Sequence, residues 1–248
     1  MEVHTHAPAE GKRLKHYLFE FFMLFLAVFC GFLAENYREH MIEHQREKQF
    51  VRSLFNDVVA DTVRLNNLVS IRNQREILLD SLVLIINSAA RQNFSVNDIY
   101  YYAAFVPRSI SLRFIPNDGT IQQLKNAGGL RLIGKTDVRD SIIRYDIGGR
   151  NLIRVNEVEE TLINDYRNIA HYFFDGMVFN SMFDVANMPH RPINAPPLFP
   201  FSVDQLREFN YKLFSIMAYN RASRREAIRL LQQAKNLLEL IEKEYHLQ

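Results

Sequence analysis

From Phe32 to Val106, about 75 residues, the chain contains neither Gly nor Pro. These two residues are the strongest interrupters of regular backbone, so the run predicts one very long helix. Val51, Leu54, Phe55, Val58, Leu65, Leu68 and Val69 recur within it at spacings of mostly three and four. That spacing gathers the apolar side chains onto a single face, which must be covered by other helices. The helix is expected to end near Ser88.

The segment that leads into this run is apolar at nearly every position. Tyr17–Ala34 reads YLFEFFMLFLAVFCGFLA, with Glu20 as its one charged residue. Eighteen helical residues span about 27 Å, close to the ~30 Å hydrocarbon core of a bilayer. The leucines, phenylalanines and Val28 favour insertion by about 3–6 kcal/mol in sum, while Glu20 opposes it by at most ~3 kcal/mol and sits in the first turn. The segment therefore predicts a membrane-crossing helix, with Tyr17 and Tyr37 as interface aromatics. A cleaved signal peptide fits less well, because Phe29 and Phe32 occupy positions where small residues are needed. Phe29 likewise disfavours Cys30 as a lipoprotein cysteine. A buried core helix is the remaining alternative. Lys12, Arg13 and Lys15 flank one end; Arg38, Arg46 and Lys48, mixed with glutamates, flank the other. The tighter N-terminal charges predict a cytoplasmic N-terminus and a periplasmic domain, in the inner membrane of a bacterial cell.

The expected organisation is a tail over 1–16, a transmembrane helix over 17–36 and a helical extracytoplasmic domain over 37–248. Within that domain a stalk covers 37–90 and a bundle 91–248. Asn93–Asp98 reads as a capped turn before a short aromatic helix, Ile99–Phe105. A short helix over Ile121–Ala127 stops at Gly128-Gly129. Thr136-Asp137 opens a longer helix that Gly148-Gly149 weakens by ~1 kcal/mol per Gly, a place where a kink can form. Its apolar pattern resumes at Leu152 and carries it to about Phe183. Pro189–Pro200 holds five prolines and is a loop. Ser202 with Gln205 forms a capping box opening a last helix to about Tyr245, striped by Leu230, Leu231, Leu237, Leu238 and Ile241. No strand series stands out. The fold class is all-α: a transmembrane helix continuing into a long stalk, and an elongated antiparallel helical bundle.

Phe114–Tyr145, FIPNDGTIQQLKNAGGLRLIGKTDVRDSIIRY, resembles the T-Y-x-x-L-K-S-S-G-x-L-x-L-I region of a family of uncharacterised single-pass inner-membrane proteins of Bacteroidota. Thr120, Leu124, Lys125, Gly128, Leu130, Leu132 and Ile133 match that pattern; Ile121 and Ala127 depart from it. The resemblance implies inner-membrane placement and a helical domain. It implies no activity and no functional residues.

Net charge is +2 and gives no electrostatic case for nucleic acid. The single cysteine, Cys30, permits no intrachain disulfide. No P-loop, G-x-G-x-x-G, G-x-S-x-G or C-x-x-C is present. His40-Met-Ile-Glu-His44 matches H-x-x-E-H, and two His at i, i+4 share a helix face. The motif lies on a solvated stalk with no third ligand in view, so no metal, cofactor or catalytic residue is assigned. Arg221, Arg224, Arg225 and Arg229 form a basic cluster that reads as an exposed helix face. Tyr100, Tyr101, Tyr102, Phe105, Phe199 and Phe201 read as packing at the bundle end. His171 and Asp175 read as packing or solvation. The membrane and partner candidates are Glu20, an acid in the bilayer, and Ala27 with Gly31, a small-xxx-small pair that lets helices approach closely. The expected function is a non-enzymatic, membrane-anchored assembly or interaction protein, with lipid and a protein partner or a second copy as its contacts. The alternative is a sensory bundle that binds a small ligand, whose identity the sequence leaves open.

Overall fold

A computed structural model describes residues 10–107, 112–126, 128–185 and 189–247, with side chains from residue 14 onward. The described residues form six α-helices: α1 (Glu10–Ile86), α2 (Val96–Ala104), α3 (Gly119–Asn126), α4 (Thr136–Ala170), α5 (Gly176–Ser181) and α6 (Val203–Tyr245). The chain is all-α, as the Gly- and Pro-free run and the helical periodicities require. One antiparallel bridge, Phe183 to Pro189, is the only extended pairing among the described residues. The chain divides into two compact units, Met1–Phe50 and Val51–Gln248.

In the first unit α1 starts at Glu10, so residues 10–16, read from sequence as tail, are helical. Residues 1–9 of that tail, and the side chains of Lys12 and Arg13, lie outside the described residues. An 18-residue window of mean hydropathy 2.2 falls in this unit with none of its residues buried. One long apolar helix near the N-terminus fits a single-pass membrane anchor.

The second unit is a bundle of three long helices. Its stretch of α1 buries Val51, Leu54, Val58, Asp61, Leu65, Leu68, Arg72, Arg75, Leu79, Leu82 and Ile86. The spacing alternates three and four without a break, the geometry of left-handed helix packing. α4 buries Val138, Ile142, Tyr145, Gly149, Leu152, Asn156, Glu159, Ile163 and Tyr166, and α6 buries Phe209, Leu213, Ile216, Asn220, Ser223, Ala227, Leu230, Ala234, Leu237 and Ile241, in the same rhythm. Asp61 meets Tyr145, Arg72 meets Asn156 and Arg75 meets Glu159, each pair 84 residues apart. A constant offset means that α4 runs parallel to α1. α6 is antiparallel to both, because Arg72 meets Asn220 while Asn87, further along α1, meets Asn210.

The parallel pair is possible because the connecting chain travels back along α1. Val106 bonds Arg75, Leu112 bonds Arg72, Ile115 bonds Arg64, Asn117 bonds Asp61 and Thr120 bonds Asp57. After α3, Gly128 takes a left-handed conformation (φ 63°) that suits glycine and turns the chain towards α4. Ala127, the expected end of α3, lies outside the described residues.

α4 runs through Gly148-Gly149 as one continuous helix, and one helix reading, its end, is corrected. A Cβ at Gly148 would stand 3.0 Å from Leu230 Cδ1 and would displace Gln233 Oε1, the far end of a flexible side chain, so α6 approaches α4 closely here. α4 ends at Ala170 and does not reach Phe183. The chain turns there so that consecutive Phe173 and Phe174 both enter the core, and the Asp175 side chain then caps α5 at the Met177 amide. The capping box of Ser202 and Gln205 opens α6 as expected.

Candidate functional site

The sequence-derived candidates fall in the first unit. Glu20 is exposed and its carboxylate lies 3.2 Å from His16 Nε2. Ala27 and Gly31 are exposed on α1, and a Cβ added to Gly31 would meet nothing within 4 Å. Phe25 and Phe29 stack at 5.9 Å between centroids. His44 Nδ1 is 3.2 Å from Glu47 Oε2, three residues on. Among the described residues no group of three or more His, Cys, Asp or Glu is arranged to hold a metal ion.

The other flagged residues have structural partners. Arg221 binds Glu76 and Asp80, Arg224 binds Glu76 and Asn73, and Arg229 binds Glu226, so much of that basic cluster is neutralised, most of it against α1. Tyr100 is fully buried with Phe174 and Phe179 around it, and Phe201 lies 4.5 Å from Phe173 between centroids. Phe199 stays exposed. Asp175 serves as the cap of α5, and His171 closes α4.

What sequence reading missed is a polar layer in the middle of the three-helix core. Arg72 and Arg75 are almost wholly buried on α1, Asn156 and Glu159 on α4, and Asn220 and Ser223 on α6. All six occupy positions of the three-four stripes. The two guanidiniums share one carboxylate: Arg72 Nη1 lies 2.9 Å from Glu159 Oε2, and Arg75 Nη1 donates to Glu159 Oε1. Backbone carbonyls take three further donors. Arg75 Nε and Nη2 reach Phe105 and Val106 oxygens at 3.0 and 2.5 Å, and Arg72 Nη2 reaches the Leu112 oxygen at 2.8 Å. Asn220 accepts from both arginines and donates to the Arg72 carbonyl at 3.0 Å. Burial lowers the proton affinity of both guanidiniums, opposed chiefly by the Glu159 charge. Arginine nonetheless stays charged in proteins. The layer therefore holds one positive charge in excess.

Two donors of this layer have no partner: Arg72 Nε and Asn156 Nδ2. The Asn156 amide cannot be turned around. Its oxygen accepts from Arg72 Nη2 at 3.0 Å and from Ser223 Oγ at 2.7 Å, and a guanidinium only donates. Asn156 also lines a cleft of about 460 Å³, walled on one side by Ile153, Asn156, Glu157 and Glu160 of α4 and on the other by Arg113–Pro116. Arg113 and Glu160 form an ion pair between the two walls.

A second polar pair lies nearer the first turns of the bundle. Asp61 is fully buried and accepts from Tyr145 Oη at 2.8 Å and from the Asn117 amide at 2.9 Å. Burial raises its carboxyl above the ordinary range, although both donors pull it down. The same burial, with the neighbouring Asp61 charge, raises the Tyr145 phenol.

The fold and the site define a helical-bundle protein with an apolar N-terminal helix and an ionic core layer. No protein-family model, curated protein or solved structure matches the chain.

Proposed function

We propose that this chain is a non-enzymatic, single-pass membrane protein whose helical domain serves assembly or interaction, as a subunit of a larger membrane complex. The observation that carries the reading is the apolar stretch of α1, with mean hydropathy 2.2 and no buried residue. A side-chain surface of that size in water would be strongly unfavourable at about 25 cal/mol per Å², whereas lipid accepts it. The basic residues before the stretch favour the inner membrane of a bacterial cell, with the N-terminus inside and the bundle in the periplasm. Glu20 and the Ala27–Gly31 pair are the contacts proposed for a membrane partner or a second copy.

The test is extraction of membranes at alkaline pH, paired with a C-terminal topology reporter and co-purification in mild detergent. The reading expects the chain in the pellet, the reporter active on the periplasmic side, and a stoichiometric partner or a homo-oligomer. A chain washed into the aqueous extract refutes it. Phe25→Arg, at the middle of the stretch, shifts insertion by about 3 kcal/mol and moves the chain towards the soluble fraction.

A further inference from the structure

The core stripe of α1 is not its only heptad series. On the opposite side of the helix, positions 56, 60, 63, 67, 70, 74, 77, 81 and 84 keep the same alternation of four and three, over about 42 Å at 1.5 Å per residue. All of it lies in the second unit. The two neighbours of α1 leave this side open. α6 grips one shoulder, where Arg221 and Arg224 hold Glu76 and Arg224 donates to Asn73. The return segment grips the other, where Thr120 donates to Asp57 and Arg64 donates to the Ile115 oxygen. Between the shoulders Val63, Ile77 and Leu84 stand 58%, 60% and 72% exposed.

This outer seam carries no charge. Its polar members are Asn56, Asn67, Ser70, Gln74 and Ser81. The equivalent stripe of α4, 84 residues on, exposes Asp140, Arg144, Arg154 and Asp165. The outward side of α6 exposes Arg225, Arg229, Glu239 and Lys243. A face that meets only water looks like those two, whereas a face that meets protein is depleted of charge at its centre. The lack of charge also selects the partner. In a parallel, in-register pair each residue meets its own copy, so a charge within the seam would face its like. No position of this seam breaks that condition. The flanks add attraction. Arg52 is exposed and Asp57 half-buried, five residues apart on opposite edges of the seam, the g-to-e relation that forms ion pairs between parallel helices. Asn67 takes a core position of the seam, where asparagine fixes register and strand number.

We propose that a second copy of this chain docks on the outer face of α1, with the two α1 helices parallel and in register from Asn56 to Leu84. Val63, Ile77 and Leu84 each pack on their own copy, and Arg52 pairs with the partner's Asp57. The parallel direction rests on the membrane reading, because both copies enter the bilayer by the same end of α1. Shared anchoring also raises the effective concentration that so polar a seam needs.

The experiment is cysteine cross-linking of the full chain in native membranes under copper-phenanthroline oxidation, in a Cys30→Ser background that removes the single native thiol. Asn56→Cys and Leu84→Cys are made singly, one at each end of the seam, with Thr161→Cys on the outward side of α4 as the control. A disulfide needs Cα atoms within about 7 Å. A parallel register therefore joins each seam cysteine to its twin, and an antiparallel one joins neither. Both seam variants are expected to give dimer at least tenfold above the control. Adding Ile77→Lys to Asn56→Cys sets two like charges face to face and should lower the dimer at least tenfold, whereas Ile77→Leu keeps it. The urea midpoint of Ile77→Lys should stay at the unsubstituted value, because Ile77 lies outside the core. Control-level dimer at either end of the seam overturns the proposal, as does dimer unchanged by Ile77→Lys. Alkaline extraction of the same samples keeps the two readings apart. A chain that pellets without these cross-links keeps the anchor and loses the interface; a chain that cross-links at both ends but washes out keeps the interface and loses the anchor.

Discussion

Replacing Glu159 by glutamine tests whether the ionic layer is charged and sealed. Its carboxylate faces two buried guanidiniums, at 2.9 Å to Arg72 and in a direct hydrogen bond to Arg75, and the residue is 3% exposed. At ~3 Å and an effective dielectric near 20, each attraction amounts to about 5 kcal/mol. Desolvation of the carboxylate offsets several kcal/mol of that total. In Glu159→Gln the new side chain would keep one acceptor oxygen, but its amide would turn N–H groups towards a guanidinium that can only donate. Two positive charges would then stand 0% and 2% exposed with no counter-charge. Breaking a buried pair from one side costs about 3–5 kcal/mol, a large share of the 5–15 kcal/mol typical of a folded domain. The assay is urea unfolding of the full chain in non-ionic micelles, followed by far-UV circular dichroism. The midpoint is expected to fall by roughly 1–2 M at an unchanged slope. Asp204→Asn is the control, because Arg207 and Asp204 pair in the open at 77% and 90% side-chain exposure, where such pairs contribute about 0–1 kcal/mol. A Glu159→Gln loss no larger than the control would refute the reasoning.

Asp61→Asn is expected to stabilise the bundle at neutral pH. The folded carboxyl of Asp61 is raised by burial, so its contribution is full when protonated and is lost as pH rises through the folded value. The asparagine keeps an acceptor for the Asn117 amide and a donor for Tyr145 Oη. Unfolding midpoints compared down to about pH 4, where an unfolded Asp titrates, should show the gain shrinking; a gain independent of pH would contradict the assignment. The paired glycines separate two effects. Gly149→Ala should raise stability by ~0.5–1 kcal/mol, because a Cβ there meets nothing within 4 Å and the helix gains propensity. Gly148→Ala should show no such gain, because Leu230 and Gln233 must shift to admit the methyl group; equal thermal shifts for the two would count against the close approach of α6.

The helices were legible because the forces that make them are local. Absence of Gly and Pro, the Ser202–Gln205 box and apolar spacings of three and four are properties of neighbouring residues. The exposed apolar stretch was legible for the same reason, since its length and composition need no partner to read. The end of α4 was not, because Leu152 to Tyr166 continues a helical rhythm that stops only where Phe173 and Phe174 find the core. The ionic layer was half visible. Counting onward from Leu68 in the same rhythm reaches Arg72 and Arg75, and Asn156, Glu159, Asn220 and Ser223 stand in register on the other two helices. Their positions are in the sequence, but residue type argued for solvent, since charged side chains are almost never fully buried unless paired.

Residue order alone establishes that this chain is helical, where the apolar stripes of its long helices run, and that one segment is long and apolar enough to cross a membrane. Packing in three dimensions settles that α4 runs alongside α1 in the same direction, that Glu159 serves two arginines 84 or more residues away, and that Asn156 keeps a donor unpaired beside a cleft. Such pairings arise between segments far apart in the chain, set by how the return segment lies along α1. Local periodicity carries no information about which distant face a buried charge will meet.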